Sequence, residues 1–331
     1  MMRLSLMQAI DSTIADSGES PLADQLLIAW PHDSGSARFL RMSANAVFTF
    51  NHAQRPFILR FNHETERSAE QLHTEVAYLQ HLSAAGIPVA KPMPSLADRY
   101  VESVNTPYGW FYSVVFEAIA GQQLDIDERS LEQFGQWGQA LGRLHRAAKS
   151  YTGTGRPMWS DRLTEAMANL PISEREAHEA IAKLHAQLST LPVDPETFGL
   201  IHYDFELDNL IWTPGGLVAI DFDDSIWCWF AADIAFALRD LFDYEAAKID
   251  SNTAPLRTFI EGYRREKHLT AEAIALLPLF LRLHHALGFA KLLCPLEILP
   301  QTQPPLWVIA LQQKLETVAQ GYRNAFVANT Y

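Results

Sequence analysis

Residues 202–224, His-Tyr-Asp-Phe-Glu-Leu-Asp-Asn-Leu-Ile-Trp-Thr-Pro-Gly-Gly-Leu-Val-Ala-Ile-Asp-Phe-Asp-Asp, can fold in few ways. The apolar run Leu210 to Trp212 is broken by Thr213-Pro214-Gly215-Gly216 and resumes as Leu217 to Ile220. An apolar run interrupted by Pro-Gly-Gly signals a β-hairpin. Pairing Trp212 with Leu217 sets Leu210 opposite Ala219 and leaves Asn209 and Asp221 at the open end. Paired positions there have Cβ atoms roughly 5 Å apart, so two oxygen donors can share a hard cation.

Magnesium takes one or two protein oxygens and completes its octahedron with water and nucleotide phosphates, so an Asn and an Asp suffice beside a triphosphate. Asp204 precedes Asn209 across a short loop. A carboxylate held beside the metal is placed to accept the proton of a hydroxyl as that oxygen attacks a γ-phosphate. The pattern His-x-Asp-x-x-x-x-Asn is weak alone; an apolar strand ending in Asp-Phe-Asp at one hairpin's distance makes it specific. The competing reading is a surface hairpin with acidic ends.

These residues resemble the aminoglycoside phosphotransferase and choline kinase family, near its homoserine kinase and stress-response kinase branches. Its fold is related to that of protein kinases, and its signature is His-Gly-Asp-x-x-x-x-Asn followed by Ile-Asp-Phe-x-Asp. The resemblance implies that Asp204 is the catalytic base, that Asn209 and Asp221 ligate Mg2+, and that His202 braces the catalytic loop. Asp223 becomes a further metal or substrate contact, and Tyr203 replaces the usual Gly with a side chain large enough to reshape the site. Asp233 matches the helix aspartate that hydrogen-bonds the catalytic loop in the family; on its own it reads equally as an exposed first-turn Asp favoured by the helix dipole.

The remaining chain fits the same plan. Residues 1–30 read as helical and then irregular, with Pro21 and Pro31 as breakers. Phe39 to Phe50 reads as two strands around a turn at residues 43–46, and Phe57 to Phe61 as a third strand. The turn lacks glycine; the resemblance makes it the nucleotide-covering loop, with Ser43 and Asn45 as its contacts, although Asn in a turn needs no functional explanation. Arg60 stands where the family places a cation on the α- and β-phosphates, and arginine can fork onto phosphate oxygens. Leu72, Val76 and Leu79 recur at helical spacing in Ser68 to Leu82, which puts Glu75 near the buried border. There it pairs with Arg60, as in the family, or with Arg67 or solvent. Val101 to Thr106 and Trp110 to Ile119 read as an antiparallel pair. Phe116 to Gly121 resembles the family's hinge, where the backbone of Glu117 and Ile119 would read the adenine edge.

Leu131 to Ala148 and the run Ala177, Ile181, Leu184, Leu188 then read as amphipathic helices. His145 is expected in the core. His284 and His285 diverge by about 100° on a helix and do not clamp one ion. Trp227, Trp229 and Phe230 either wall a substrate pocket or pack the helical lobe.

Composition removes several function classes. A net charge of −13 with no basic run disfavours a nucleic-acid partner. Two cysteines, Cys228 and Cys294, imply no disulfide framework and suit a reducing cytoplasm. The most apolar late stretch, Leu276 to Leu293, is interrupted by Arg282, His284, His285 and Lys291, which reads as a packed helix and not a membrane span. The expected architecture is α+β and two-lobed, protein-kinase-like. A small antiparallel sheet with one helix occupies residues 1–116, a hinge 117–122, and a mainly helical lobe 123–331. The expected activity is ATP- and Mg2+-dependent transfer to a small-molecule hydroxyl. Glu206, Asp208, Asp224, Asp240 and Asp243 either favour an amine-bearing acceptor such as an aminoglycoside, amino alcohol or hydroxy amino acid, or stand as carboxylates on a solvated surface. A serine/threonine protein kinase of the stress-response type and a nucleotide-binding regulator without turnover are the alternatives.

Overall fold

The computed structural model describes residues 2–126, 129–242, 249–250, 252–294 and 304–327. The chain forms two compact units, Met1–Gln80 with Ala90–Ile119 and Cys294–Glu316, and His81–Val89 with Ala120–Leu293 and Thr317–Tyr331.

The first unit opens with helices α1 (Leu4–Asp11) and α2 (Pro21–Leu27). Pro21, a breaker by sequence, starts α2: it occupies the first turn, where no N–H is needed, and the Ser20 side chain caps the Ala23 N–H. Strands β1 (Arg38–Met42), β2 (Ala46–His52) and β3 (Arg55–His63) follow, then α3 (Ala69–Ala84), β4 (Pro92–Met93), β5 (Glu102–Thr106) and β6 (Gly109–Glu117). The sheet order is β1-β2-β3-β6-β4, with β5 also pairing β6, and every pairing is antiparallel. Strand alternation sends Phe48, Phe50, Phe57, Phe61 and Phe111 into one core with Leu22, Leu26 and Trp30. The α3 helix begins at a reciprocal cap, in which Ser68 Oγ accepts the Gln71 N–H at 3.2 Å and Gln71 Oε1 accepts the Ser68 N–H at 2.9 Å.

The second unit is mostly helical: α4 (Leu131–Ala148), α5 (Trp159–Asn169), α6 (Arg175–Leu188), α7 (Phe230–Ala237), α8 (Ala254–Arg264), α9 (Ala271–Ala275) and α10 (Leu277–Leu293). A last helix, α11 (Leu306–Val327), follows. Two small antiparallel pairs sit among these helices. Strand β8 (Leu210–Thr213) pairs β9 (Gly216–Ala219), with Trp212 opposite Leu217 and Leu210 opposite Ala219, the register expected from the turn. Strand β7 (Phe198–Ile201) pairs β10 (Ile226–Trp229), with Ile201 opposite Ile226. The chain passes from β7 to β8 through residues 202–209 and from β9 to β10 through residues 220–225. Backbone pairing therefore brings the two polar segments of the sequence signature alongside each other.

Helix α4 starts at a capping box built by Ser130 and Gln133 and packs closely on α8. Glycines make the approach possible. A Cβ on Gly138 would lie 2.0 Å from the Phe259 carbonyl oxygen, and one on Gly262 would lie 2.0 Å from that of Gly135. A Cβ on Gly135 itself would make only ordinary contact with Thr258, at 3.5 Å. Helix α10 buries His284 and His285 among leucines, and no helix among the described residues is long and apolar enough to cross a membrane. Gly138→Ala is expected to lower stability by about 3 kcal/mol, because overpacking against backbone cannot relax by a rotamer change. Gly135→Ala should be near neutral. Chemical denaturation of both variants checks this, and equal stabilities would contradict the crossing geometry.

Candidate active site

Asp233, in the first turn of α7, is fully buried. Its Oδ2 accepts the His202 N–H at 2.9 Å and its Oδ1 accepts the Tyr203 N–H at 2.8 Å. The same Oδ2 lies 3.0 Å from His145 Nε2, and His145 Nδ1 lies 2.9 Å from the Tyr263 hydroxyl. A carboxylate can only accept, so Nε2 carries the hydrogen and Nδ1 receives the phenol proton. Burial holds His145 below its ordinary range despite the pull of Asp233, so the ring is neutral. Asp233 is thus the loop-bracing residue and not an exposed dipole-favoured Asp.

His202 is also fully buried. Its Nδ1 accepts the Asp204 N–H at 3.2 Å, so its Nε2–H donates to the Ile220 carbonyl at 3.1 Å. Burial lowers its basicity too. Tyr203 has φ = 76°, a left-handed backbone that favours the glycine of the signature. Strain of this kind costs of order 1–3 kcal/mol and persists only where the surroundings enforce it, here through Asp233. Contrary to the expectation that Tyr203 crowds the site, its ring packs inward, 5.3 Å from Phe236 and 5.7 Å from His284 between centroids. Burial pushes its phenol up, so it stays protonated.

The candidate base, Asp204, retains a side chain 29% exposed. Asn209 Nδ2 donates to the Asp204 carbonyl at 3.0 Å and lies 3.4 Å from its Oδ2. Trp137 on α4 fixes the middle of the loop through Nε1–H to the Phe205 carbonyl at 3.0 Å. With its nitrogen turned toward Asp204, the Asn209 amide presents its oxygen on the other side. The Ile220 N–H donates to the Asn209 carbonyl at 3.0 Å, which continues the hairpin ladder up to Asp221. Asp221 also has positive φ, 64°. Buried Arg156 donates to the Asp223 carbonyl at 2.7 Å and to that of Phe222 at 3.1 Å, bracing the segment that carries both aspartates. The donor set fits a hard divalent cation: oxygens of Asn209, Asp221 and Asp223. Among the described residues no group of three or more His, Cys, Asp or Glu is placed to hold a metal ion by itself.

In the first unit, Arg60 on β3 forks onto Glu75 of α3, at 2.9 Å to Oε1 and 2.5 Å to Oε2. Their side chains are 6% and 2% exposed, so Glu75 pairs with Arg60 and not with Arg67 or solvent. The Phe116 ring lies 5.2 Å from the Arg60 guanidinium. Ser43 is exposed at the β1–β2 turn, where its N–H donates to the Asn45 carbonyl at 3.0 Å. Asn45 is buried, and its Oδ1 accepts from Asn62, so its side chain braces the turn from beneath. The Glu117 N–H is taken by the Lys91 carbonyl at 3.0 Å, which leaves the Glu117 carbonyl as its available group. Ile119, past the end of β6, makes no backbone hydrogen bond among the described residues.

The sequence did not reveal Arg239. It follows α7, with Nη1 3.0 Å from Asp204 Oδ1 and Nη2 donating to Glu206 Oε2. A lone arginine after an apolar helix reads locally as a C-terminal dipole partner. Arg156 was likewise unmarked, and Trp137 read only as an apolar position of the helix Leu131 to Ala148. The expected anionic field is largely paired: Glu206 by Arg239, and Asp224 by Lys291, with Arg162 3.9 Å away. Asp240 lies 4.0 Å from Arg239 Nε, Asp208 is exposed, and Asp243 lies outside the described residues. Trp229 packs on Trp159, Phe198 and Phe280, and Phe230 lies beneath Lys267. Both pack in the helical unit, and both also line a cavity with Pro192, Lys267 and Leu276. The partly exposed Trp227 stacks on Tyr151. His284 contacts Tyr203 and Phe236 while His285 contacts Tyr322, with no shared ligand sphere.

A sequence model of the "Phosphotransferase enzyme family" matches residues 37–274. Amicoumacin kinase of Bacillus subtilis (strain 168) is 30% identical over 265 residues, 77% of this chain and 79% of that protein. Homoserine kinase of Caulobacter sp. (strain K31) is 26% identical over 72% of this chain and 74% of that protein. Among solved structures, an amicoumacin kinase in complex with AMP-PNP, Ca2+ and Ami superposes with a TM-score of 0.80 at 22% identity, covering 97% of this chain and 96% of that one.

Two outcomes follow from this geometry. Glu75→Ala leaves the Arg60 charge buried without its partner and should cost about 3–5 kcal/mol, read by thermal and chemical unfolding. Burial also holds His145 and His202 low, and with Arg239 nearby it holds His285 down to about 4 from an ordinary 6.5. Stability from the neutral His285 ring is whole above pH 6.5 and is lost as pH falls toward about 4, because the unfolded chain takes up a proton that the folded chain refuses; His145 and His202 act in the same direction. A melting temperature that stays level from pH 7 down to about 4.5 would contradict the assignment.

Proposed function

Because the chain belongs to the phosphotransferase enzyme family, we propose that Asp204 is its general base, that Asn209 and Asp221, with Asp223, hold Mg2+, and that ATP is its donor. The enzyme transfers phosphate to a hydroxyl of a small molecule. One observation carries the assignment of roles. His202 bonds the Asp204 N–H on one side and the Ile220 carbonyl on the other, so base and metal ligands are held by a single side chain.

Asp204 accepts the proton of the acceptor hydroxyl as its oxygen bonds to the γ-phosphorus and the bond to the β-bridging oxygen breaks. Mg2+ held by Asn209, Asp221 and Asp223 would neutralise charge on the phosphate oxygens. Glu75 holds Arg60 for the α- and β-phosphates, and Ser43 covers the phosphates with the turn that Asn45 braces. The Glu117 carbonyl and the Ile119 N–H read the adenine edge. Residues 1–116 then serve the nucleotide, 117–122 act as the hinge, and 123–331 serve the acceptor. The acceptor class is an amine-bearing alcohol, as supported by relatives named for amicoumacin, homoserine and aminopropanol. Cys228 and Cys294, neither of them in a disulfide, suit work in a reducing cytoplasm.

The test is ATP consumption with Mg2+ against amicoumacin, aminopropanol, homoserine, choline, an aminoglycoside and casein. One class of small alcohol should stimulate turnover, and Asp204→Asn should lower kcat by roughly 10²–10⁴-fold with nucleotide binding kept. Asp221→Asn should weaken Mg2+-dependent nucleotide binding. A fully active Asp204→Asn enzyme sinks the base assignment. Label in casein alone favours a protein kinase, such as the stress response kinase A of Salmonella at 25% identity. Nucleotide binding without turnover favours a regulator.

A further inference from the structure

We infer that Arg239 is the positioning residue for the Asp204 carboxylate, with Glu206 as its second anchor, so that Glu206 acts through Arg239 and not on the acceptor. The inference rests on Asp204 being the base. The guanidinium is held at three points: Asp204 Oδ1 at 3.0 Å from Nη1, the Phe236 carbonyl at 3.1 Å from the same nitrogen, and Glu206 Oε2 through Nη2. Its side chain is 17% exposed, against 29% for Asp204.

Helix α7 makes this arrangement rigid. All eight of its residues are buried, and it opens with the Asp233 turn that fixes the N–H groups of His202 and Tyr203. Arg239 comes two residues after its end. One short helix therefore holds the catalytic loop twice, by backbone at its start and by side chains just past its finish. Without Arg239 the Asp204 carboxylate retains the 3.4 Å approach of Asn209 Nδ2, too long for a strong hydrogen bond. A planar guanidinium between two carboxylates fixes the plane of both, which a lysine point charge cannot do. The pairing also occupies Glu206. Arg239 takes Oε2 and neutralises much of the charge that would draw an ammonium group, so Glu206 is poorly suited to recognise an amine.

The experiment uses the full chain with Arg239→Gln, Arg239→Lys and Glu206→Gln, and reads kcat and KM separately with the alcohol that stimulates turnover. Arg239→Gln should lower kcat roughly 10²-fold, the effect of a misplaced reacting group, with KM for the acceptor and Mg2+-dependent AMP-PNP binding unchanged. Glu206→Gln should lower kcat less and in the same manner, and Arg239→Lys should recover only part. If Glu206→Gln raises the acceptor KM and spares kcat, Glu206 is an acceptor contact and the inference falls. A second readout needs no turnover: nitrogen-15 spectra of the Arg239 guanidinium. Separate, slowly exchanging Nη signals in the unmodified protein that merge in Glu206→Gln support the clamp. Merged signals in the unmodified protein overturn it. Separate signals with no turnover on any acceptor leave the clamp standing and count against the phosphotransfer reading.

Discussion

The carboxylate of Asp233 is the interaction on which the second unit is organised. A buried carboxylate is stable only when its lone pairs are met by donors, and here two backbone N–H groups and a neutral imidazole meet them. Each donor ties in a different part of the chain. His202 and Tyr203 bring the end of β7, His145 brings α4, and Tyr263, bonded to His145, brings α8. The glycine-lined crossing of α4 and α8 matters to chemistry for this reason. It lets Tyr263 come close enough to orient the ring that faces Asp233.

Much of this plan was legible in the sequence, for identifiable reasons. The β8–β9 hairpin was readable because a Pro-Gly turn fixes register locally; that register sets Asn209 opposite Ile220 and not opposite Asp221, which follows with φ = 64°. The Arg60–Glu75 pair was readable because strand and helix each carry their own periodicity. Asp233 was ambiguous because a first-turn acid looks the same whether buried or exposed, and only tertiary packing separates the two. Arg239 and Arg156 left no trace, and Trp137 read only as an apolar helix position. Their partners lie tens of residues away, and no local pattern records a contact across such a separation. Asn45 was placed on the nucleotide-covering turn by the resemblance alone, and its bond from Asn62 could not be read from turn chemistry.

Charge is the clearest case in which composition and geometry differ. The chain carries a net charge of −13, and the sequence clusters acids around the signature. Arg239, Lys291 and Arg162 nevertheless stand among Asp204, Glu206 and Asp224, so the carboxylates near the base are largely counterbalanced. Selectivity for an amine cannot then be read from the number of acids. It depends on which acids remain open once these pairs have formed.

His202 spends both ring nitrogens, one on the Asp204 N–H and one on the Ile220 carbonyl, next to Asp221. A planar ring bonded at both ends works as a spacer bar: its width sets how near the two loops come to each other.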